Sequence, residues 1–147
     1  MLKDLEKTLH TQIPMTKLMQ LQVESLDKKE LITTMPLDVN INDKGSAFGG
    51  SSNALTIISG WSVCILLSKE MGLGDTMIAI IKNQSSFRAP ITKDLICHTY
   101  LPSEEQISKM KEKILSKKSI TLKLRSEVIQ DSKICLDFEG MYIIKLK

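Results

Sequence analysis

"NINDKGSAFGGSSNAL", residues 40–55, carries the chain from a polar, glycine-bearing run into a long apolar segment, with no acidic residue between Asp43 and Glu70. Within and beyond it, Ala47, Phe48, Leu55, Ile57, Ile58, Trp61, Val63, Cys64, Ile65, Leu66 and Leu67 cover nearly every side of a helix. A helix that is apolar on nearly all sides is buried on nearly all sides. The pattern predicts a central buried helix over about residues 46–71, ended by Gly72. Its strongly apolar part, Ala54 to Leu67, is broken by Thr56, Ser59, Gly60 and Ser62. That stretch is shorter than the about 20 residues a membrane span requires, so it reads as a core helix.

On the N-terminal side, Leu2, Leu5, Leu9 and Ile13 recur at helical spacing and predict an amphipathic helix over 2–12 that Pro14 stops. From Leu18 the period becomes two: Met19, Leu21 and Val23 alternate with polar neighbours and predict a half-buried strand. Asp27-Lys28-Lys29 reads as a turn, and "ELITTMPL" as the returning strand, ended by Pro36. On the C-terminal side, "TMIAIIKNQSSF", "DLICHTYL", "SITLKLRSEVI" and "KICLDFEGMYIIKL" read as four more strands. Between them Ile107, Met110 and Ile114 mark one side of a surface helix over about 103–118. The expectation is a single α+β domain over 1–147, a curled antiparallel sheet wrapped around one long helix. One sheet covers one side of a helix, so a second chain is expected to close the other.

Hydrophobic residues make up 42% and charged residues 25%, as in an ordinary globular chain. A net charge of +3 with 4% aromatics gives no sign of nucleic-acid binding. Cys64, Cys97 and Cys135 are odd in number and widely spaced, which reads as buried free thiols in a reducing, cytoplasmic compartment. The start "MLKDLEKTLH" lacks the apolar centre of a signal peptide.

The spacing Asn42-x-x-Gly45-x-x-Phe48-Gly49-Gly50 followed by Leu55 resembles the N-x-x-G-x-x-H-G-G-x-x-x-x-L pattern of hotdog-fold acyl-CoA thioesterases. The pieces "IPMTKLM", "MPLDVNINDKGSAFGGS", Gly60-Trp61, "FRAPIT" and "FEGMYI" fall in the order of thioesterases similar to the YiiD C-terminal domain. The resemblance implies a hotdog fold, a homodimer or dimer of dimers, and hydrolysis of an acyl thioester of coenzyme A or acyl carrier protein at the subunit interface. It implies no metal and no redox cofactor, coenzyme A entering only as part of the substrate. Two positions depart from the broader pattern: Phe48 replaces histidine, and Ile57 replaces the helix acid that handles the attacking water.

Thioester hydrolysis builds negative charge on the carbonyl oxygen, and unpaired amides at a helix N-terminus stabilise it. Gly49 and Gly50 permit that close approach, or simply let the helix pass beneath the sheet. Asn42 orients water or the carbonyl but cannot be a general base. Asp43 is either that base or a loop residue neutralising Lys44. Ser51 either bonds the thioester or caps the helix. Phe48 and Asn53 flank the pair as substrate-binding candidates. Asn83, Gln84, Ser85 and Ser86 face a partner's helix start across a dimer, or are a strand leaving the core. Trp61 is core, or the floor of an acyl pocket. Lys109, Lys111, Lys113, Lys117, Lys118 and Arg125 are a solvated face, or attract coenzyme A phosphates. His10 and His98 lie outside the motif, and neither metal-ligand spacing nor a G-x-S-x-G elbow occurs. Two functions are consistent with these residues: an acyl-thioester hydrolase, or a non-catalytic acyl-CoA or acyl-carrier binding module.

Overall fold

The computed structural model describes residues 1–147. In chain order the elements are α1 (Leu2–Gln12), α2 (Pro14–Leu18), β1 (Gln22–Leu26), β2 (Glu30–Met35), α3 (Gly49–Glu70), β3 (Thr76–Phe87), β4 (Leu95–Tyr100), α4 (Glu104–Lys117), β5 (Ser119–Gln130) and β6 (Lys133–Leu146). All strands join one antiparallel sheet in the order β1-β2-β4-β5-β6-β3, which curls around α3. This is the hotdog fold the motif implied.

Local chemistry sets the boundaries. Pro14 does more than stop α1: it occupies the first turn of α2, where a missing N–H costs nothing, and β1 begins only at Gln22. Asp131 (φ 52°) and Ser132 (φ 62°) both take left-handed conformations and make the tight turn between β5 and β6. The expected helix 103–118 is α4 with its caps. The Ser103 hydroxyl accepts from Gln106 N, the Gln106 side chain accepts from Ser103 N, and Lys118 closes the end at φ 71°. The expected helix 46–71 starts later, because residues before Gly49 are extended: Ala47 bridges Ile41, and Phe48 N donates to Asn40 O.

α3 is not buried all round. Ser52, Thr56, Ser59, Gly60 and Ser62 are buried, while Ala54, Ile57, Ile58, Trp61 and Ile65 are only half-buried. Small side chains let the helix backbone lie close on the sheet. At Gly60 an added Cβ would stand 2.7 Å from Tyr142 Cε1, with the phenol oxygen nearer still. The hydroxyls this brings inside are satisfied. Ser59 Oγ donates to Leu55 O and meets Thr33 Oγ1, both at 2.6 Å, and Tyr142 Oη donates to Ile57 O at 2.7 Å. Leu55, Val63, Leu66 and Leu67 are buried as well, and it is Ile57, Ile58, Trp61 and Ile65 that are left only half-covered. By length and composition α3 could cross a membrane (22 residues, mean hydropathy 1.4), yet 61% of that window is buried as the core of this fold.

The sheet also carries an irregularity that matters for the site. On β3, Ile78 and Ile80 pair with Ile144 and Tyr142 and face α3, but Lys82 pairs with Met141, so Ile81 is an extra residue. The bulge exchanges the faces of the residues after it. Asn83, Ser85 and Phe87 turn toward α3, while Lys82, Gln84 and Ser86 turn outward. β3 lies at the end of the sheet with one edge unpaired over 12 residues.

Candidate functional site at the helix mouth

The loop between Pro36 and Phe48 delivers the chain to the start of α3, and its asparagines hold it together. Asn40 is buried, and its Nδ2 donates to Met19 O (3.0 Å) and Pro36 O (2.8 Å), joining the ends of α2 and β2. Asn42 closes the next turn. Its Oδ1 accepts from Lys44 N (2.8 Å) and Ser46 N (3.1 Å), and its Nδ2 donates to Ser46 Oγ (3.0 Å) and Ala47 O (3.4 Å). Gly45, at φ +81°, completes that turn. All the bonding capacity of the Asn42 side chain is thus engaged in its own loop, leaving nothing for a substrate. Asp43 is an exposed carboxylate paired with Lys44 Nζ at 3.1 Å, the neutralising arrangement rather than that of a base.

The mouth itself is open. Phe48 is the N-cap residue and offers no side-chain acceptor, and Ser52 N is the first amide of the helix to bond, to Phe48 O at 3.0 Å. The amides of Gly49, Gly50 and Ser51 donate to no acceptor of the chain. The Phe48 ring lies over Gly50, where a Cβ would meet its Cε2 at 2.5 Å. Gly49 is less constrained, since a Cβ there would touch Phe87 at an ordinary 3.5 Å. A side chain at Gly50 would therefore displace the exposed Phe48 ring, whereas one at Gly49 would not.

Two walls flank these amides. On the β3 side, Ser85 Oγ donates to Asn53 Oδ1 at 2.6 Å, one helical turn after Gly49. That bond fixes the Asn53 amide and leaves its Nδ2 hydrogens without a partner in the chain. Ser85 and Phe87 thus reach the helix start of their own chain, by virtue of the Ile81 bulge. Asn83 shares their face but is exposed, and Ser86 lies on the opposite face of the sheet. On the α2 side, Phe48, Gly50, Ser51 and Ala54 line an apolar groove with Met15, Leu18, Met19 and Val39. Sequence reasoning missed this wall; its signal was the pair Met15 and Leu18 one turn apart after a proline.

Other candidates lie elsewhere. Trp61 stands 11 residues beyond Gly50 on α3, about 16 Å along the axis, with Nε1 donating to Ile78 O. The α4 lysines sit at the far end of α3, where Lys111 borders Glu70 and Met71. With 22 residues in α3, that is about 33 Å from the mouth. Arg125 belongs to the outer face of the sheet, bonded to Asp137 and Glu127 beside Gln84 and Ser86. His10 Nε2 donates to Leu21 O, and His98 Nδ1 contacts Glu30. No group of three His, Cys, Asp or Glu side chains gathers to hold a metal ion.

Among solved structures, the chain is similar to a protein of unknown function from Chlorobaculum tepidum TLS (25% identity, TM-score 0.94, covering 99% of this chain and 94% of that one). It is similar in fold to a "putative thioesterase" from Shewanella oneidensis (24% identity, TM-score 0.84, 99% and 97% covered). The same holds for a protein of unknown function from Pseudomonas aeruginosa described as a probable thioesterase (17% identity, TM-score 0.83, 99% and 96% covered). A family model matches residues 2–146, all but the two terminal residues, and the chain belongs to that family, "Putative thioesterase (yiiD_Cterm)".

Proposed function

We propose that the protein hydrolyses acyl thioesters of coenzyme A or acyl carrier protein at the mouth of α3. The observation that carries this reading is the set of three amides, at Gly49, Gly50 and Ser51, that no group of the chain occupies. The carbonyl oxygen of the thioester seats on them, and the positive end of the α3 dipole supports the charge that grows there. The Ser51 hydroxyl and the Asn53 Nδ2, the latter held by Ser85, orient the attacking water. Water adds to the carbonyl carbon, the carbon–sulfur bond breaks, and the proton of the water ends on the departing thiolate. Oxyanion donors of this kind contribute on the order of a hundredfold or more each.

The reading includes a homodimer. The half-buried row Ala54, Ile57, Ile58, Trp61 and Ile65 and the unpaired edge of β3 adjoin one another, and a second copy laid across both would cover them. A dimer of dimers is compatible with the same contacts.

A second reading, an acyl-thioester binding module without turnover, is favoured by one observation: α3 carries no acid before Glu70, and Asn42 and Asp43 are engaged in their loop. One experiment separates the two. Thiol release is measured over a panel of acyl-CoAs for the wild type, Asn53→Ala and Ser85→Ala. Hydrolysis reduced about tenfold in both variants, with unchanged melting temperatures, is the expected result. Tight binding with no turnover in the wild type selects the binding module, and full activity in Asn53→Ala removes the water-orienting role.

A further inference from the structure

We infer that the groove on the α2 side of the mouth holds the aliphatic chain of the thioester, so that the preferred substrates carry uncharged acyl chains of several carbons. This deepens the hydrolase reading and rests on it. Met15, Leu18, Val39 and Phe48 expose 57%, 71%, 48% and 56% of their surfaces, four of the eleven large apolar side chains left exposed in the whole chain. They gather around one groove of about 410 Å³, within the range of small-molecule sites. Exposed apolar residues concentrated in one place mark a binding surface.

Its position names the occupant. Gly50 and Ser51, two of the three bare amides, belong to the same groove, and Ala54 forms its wall one turn further along α3. A ligand that fills the groove and also satisfies the amides needs an oxygen at one end and a hydrocarbon tail running away from it. An acyl thioester has that order of groups. No acidic or basic side chain lines the groove, so a carboxylate-ended acyl chain gains nothing there. The cleft beside Trp61 is the weaker candidate, because Thr8, Gln12, Ser68, Lys69 and Asp75 line it and it lies away from the mouth.

The groove is also specific in origin. Pro14 sets the first turn of α2, and Met15 and Leu18 then fall on one side of it. Asn40 ties the end of α2 to the loop through Met19 O, so α2 and the helix mouth are held in fixed relation.

The test uses the full chain and straight-chain acyl-CoAs from acetyl to dodecanoyl, with succinyl-CoA as the charged comparison. Each methylene taken into the groove raises kcat/KM by about three- to fourfold until the groove is full. Leu18→Lys, at an exposed position where the fold tolerates it, lowers the octanoyl-to-acetyl ratio of kcat/KM by about tenfold or more. Leu115→Lys, an exposed apolar position on α4, leaves that ratio unchanged. Hydrolysis independent of chain length, or an unchanged ratio in Leu18→Lys, overturns the inference while sparing the hydrolase reading. If no acyl-CoA is turned over, the hydrolase reading fails instead, and the same chain-length slope is read as calorimetric affinity. If Leu18→Lys converts a dimer to monomers without changing the ratio, a second copy fills the groove and the inference is wrong.

Discussion

Gly60→Ala tests whether close seating of α3 on the sheet organises the whole molecule. On an exposed helix this change gains about 1 kcal/mol from helix propensity. Here the new methyl would lie 2.7 Å from Tyr142 Cε1, with Cζ and Oη closer still, where carbon contacts settle near about 3.5–4.0 Å. Tyr142 is fully buried and cannot swing aside, so helix and strand must part by on the order of 1 Å. Overpacking of this kind costs about 1–3 kcal/mol. Parting also stretches the bond from Tyr142 Oη to Ile57 O, and an unsatisfied buried hydroxyl costs a further about 1–3 kcal/mol. The sum, less the propensity gain, is a destabilisation of about 1–5 kcal/mol. Urea denaturation of wild type and variant, fitted with a common slope, measures it. A variant as stable as wild type, or more so, would show that the small-residue face is not a packing requirement.

Two further outcomes concern the approach to the mouth. Asn42→Ala removes four bonds within its loop and lowers stability by about 1–3 kcal/mol in thermal melts. Asn42→Asp, which keeps the two acceptor contacts, recovers part of the loss, and an unaltered melt for the alanine variant contradicts the loop role. Deleting Ile81 removes the bulge yet leaves Lys82 onward in register with Met141 onward, so Ser85 stays opposite Phe138 and keeps its bond to Asn53. Activity then stays near that of the wild type, whereas Ser85→Ala loses it about tenfold. Activity lost in the deletion to the level of Ser85→Ala would mean that the register with β6 does not by itself place Ser85.

Much of the fold was readable because apolar spacing switches cleanly between the helical and strand periods. The extent of α1, the β1–β2 hairpin turn, the strand alternation of β5 and β6 and the identity of α4 are all consequences of it. Three features escaped that logic. Pro14 looks like a stop, and whether it also begins a new turn depends on where the chain must go next. The uncharged run of α3 reads as buried throughout, yet serines, a threonine and a glycine share the buried side with leucines and a valine, while three isoleucines and Trp61 stay half-covered. The Ile81 bulge has no local marker beyond two adjacent isoleucines, although it decides which of Ser85 and Ser86 looks at the helix. At the site, the glycine pair marks where the helix begins, whereas the loop bonds of Asn42 had no signal, because an asparagine beside a turn glycine serves a loop and a substrate equally well on paper. Trp61 is separated from the mouth by half the helix and the α4 lysines by its full length, which no spacing rule reports.

The three free cysteines, Cys64, Cys97 and Cys135, give the molecule a built-in gauge of its own breathing. All are buried, and burial pushes the Cys64 and Cys97 thiols well above the ordinary range. An alkylating reagent at neutral pH therefore finds them only when the surrounding structure opens. Cys64 lies on the helix, Cys97 on β4 and Cys135 on β6, so the order in which they are modified reports which layer loosens first.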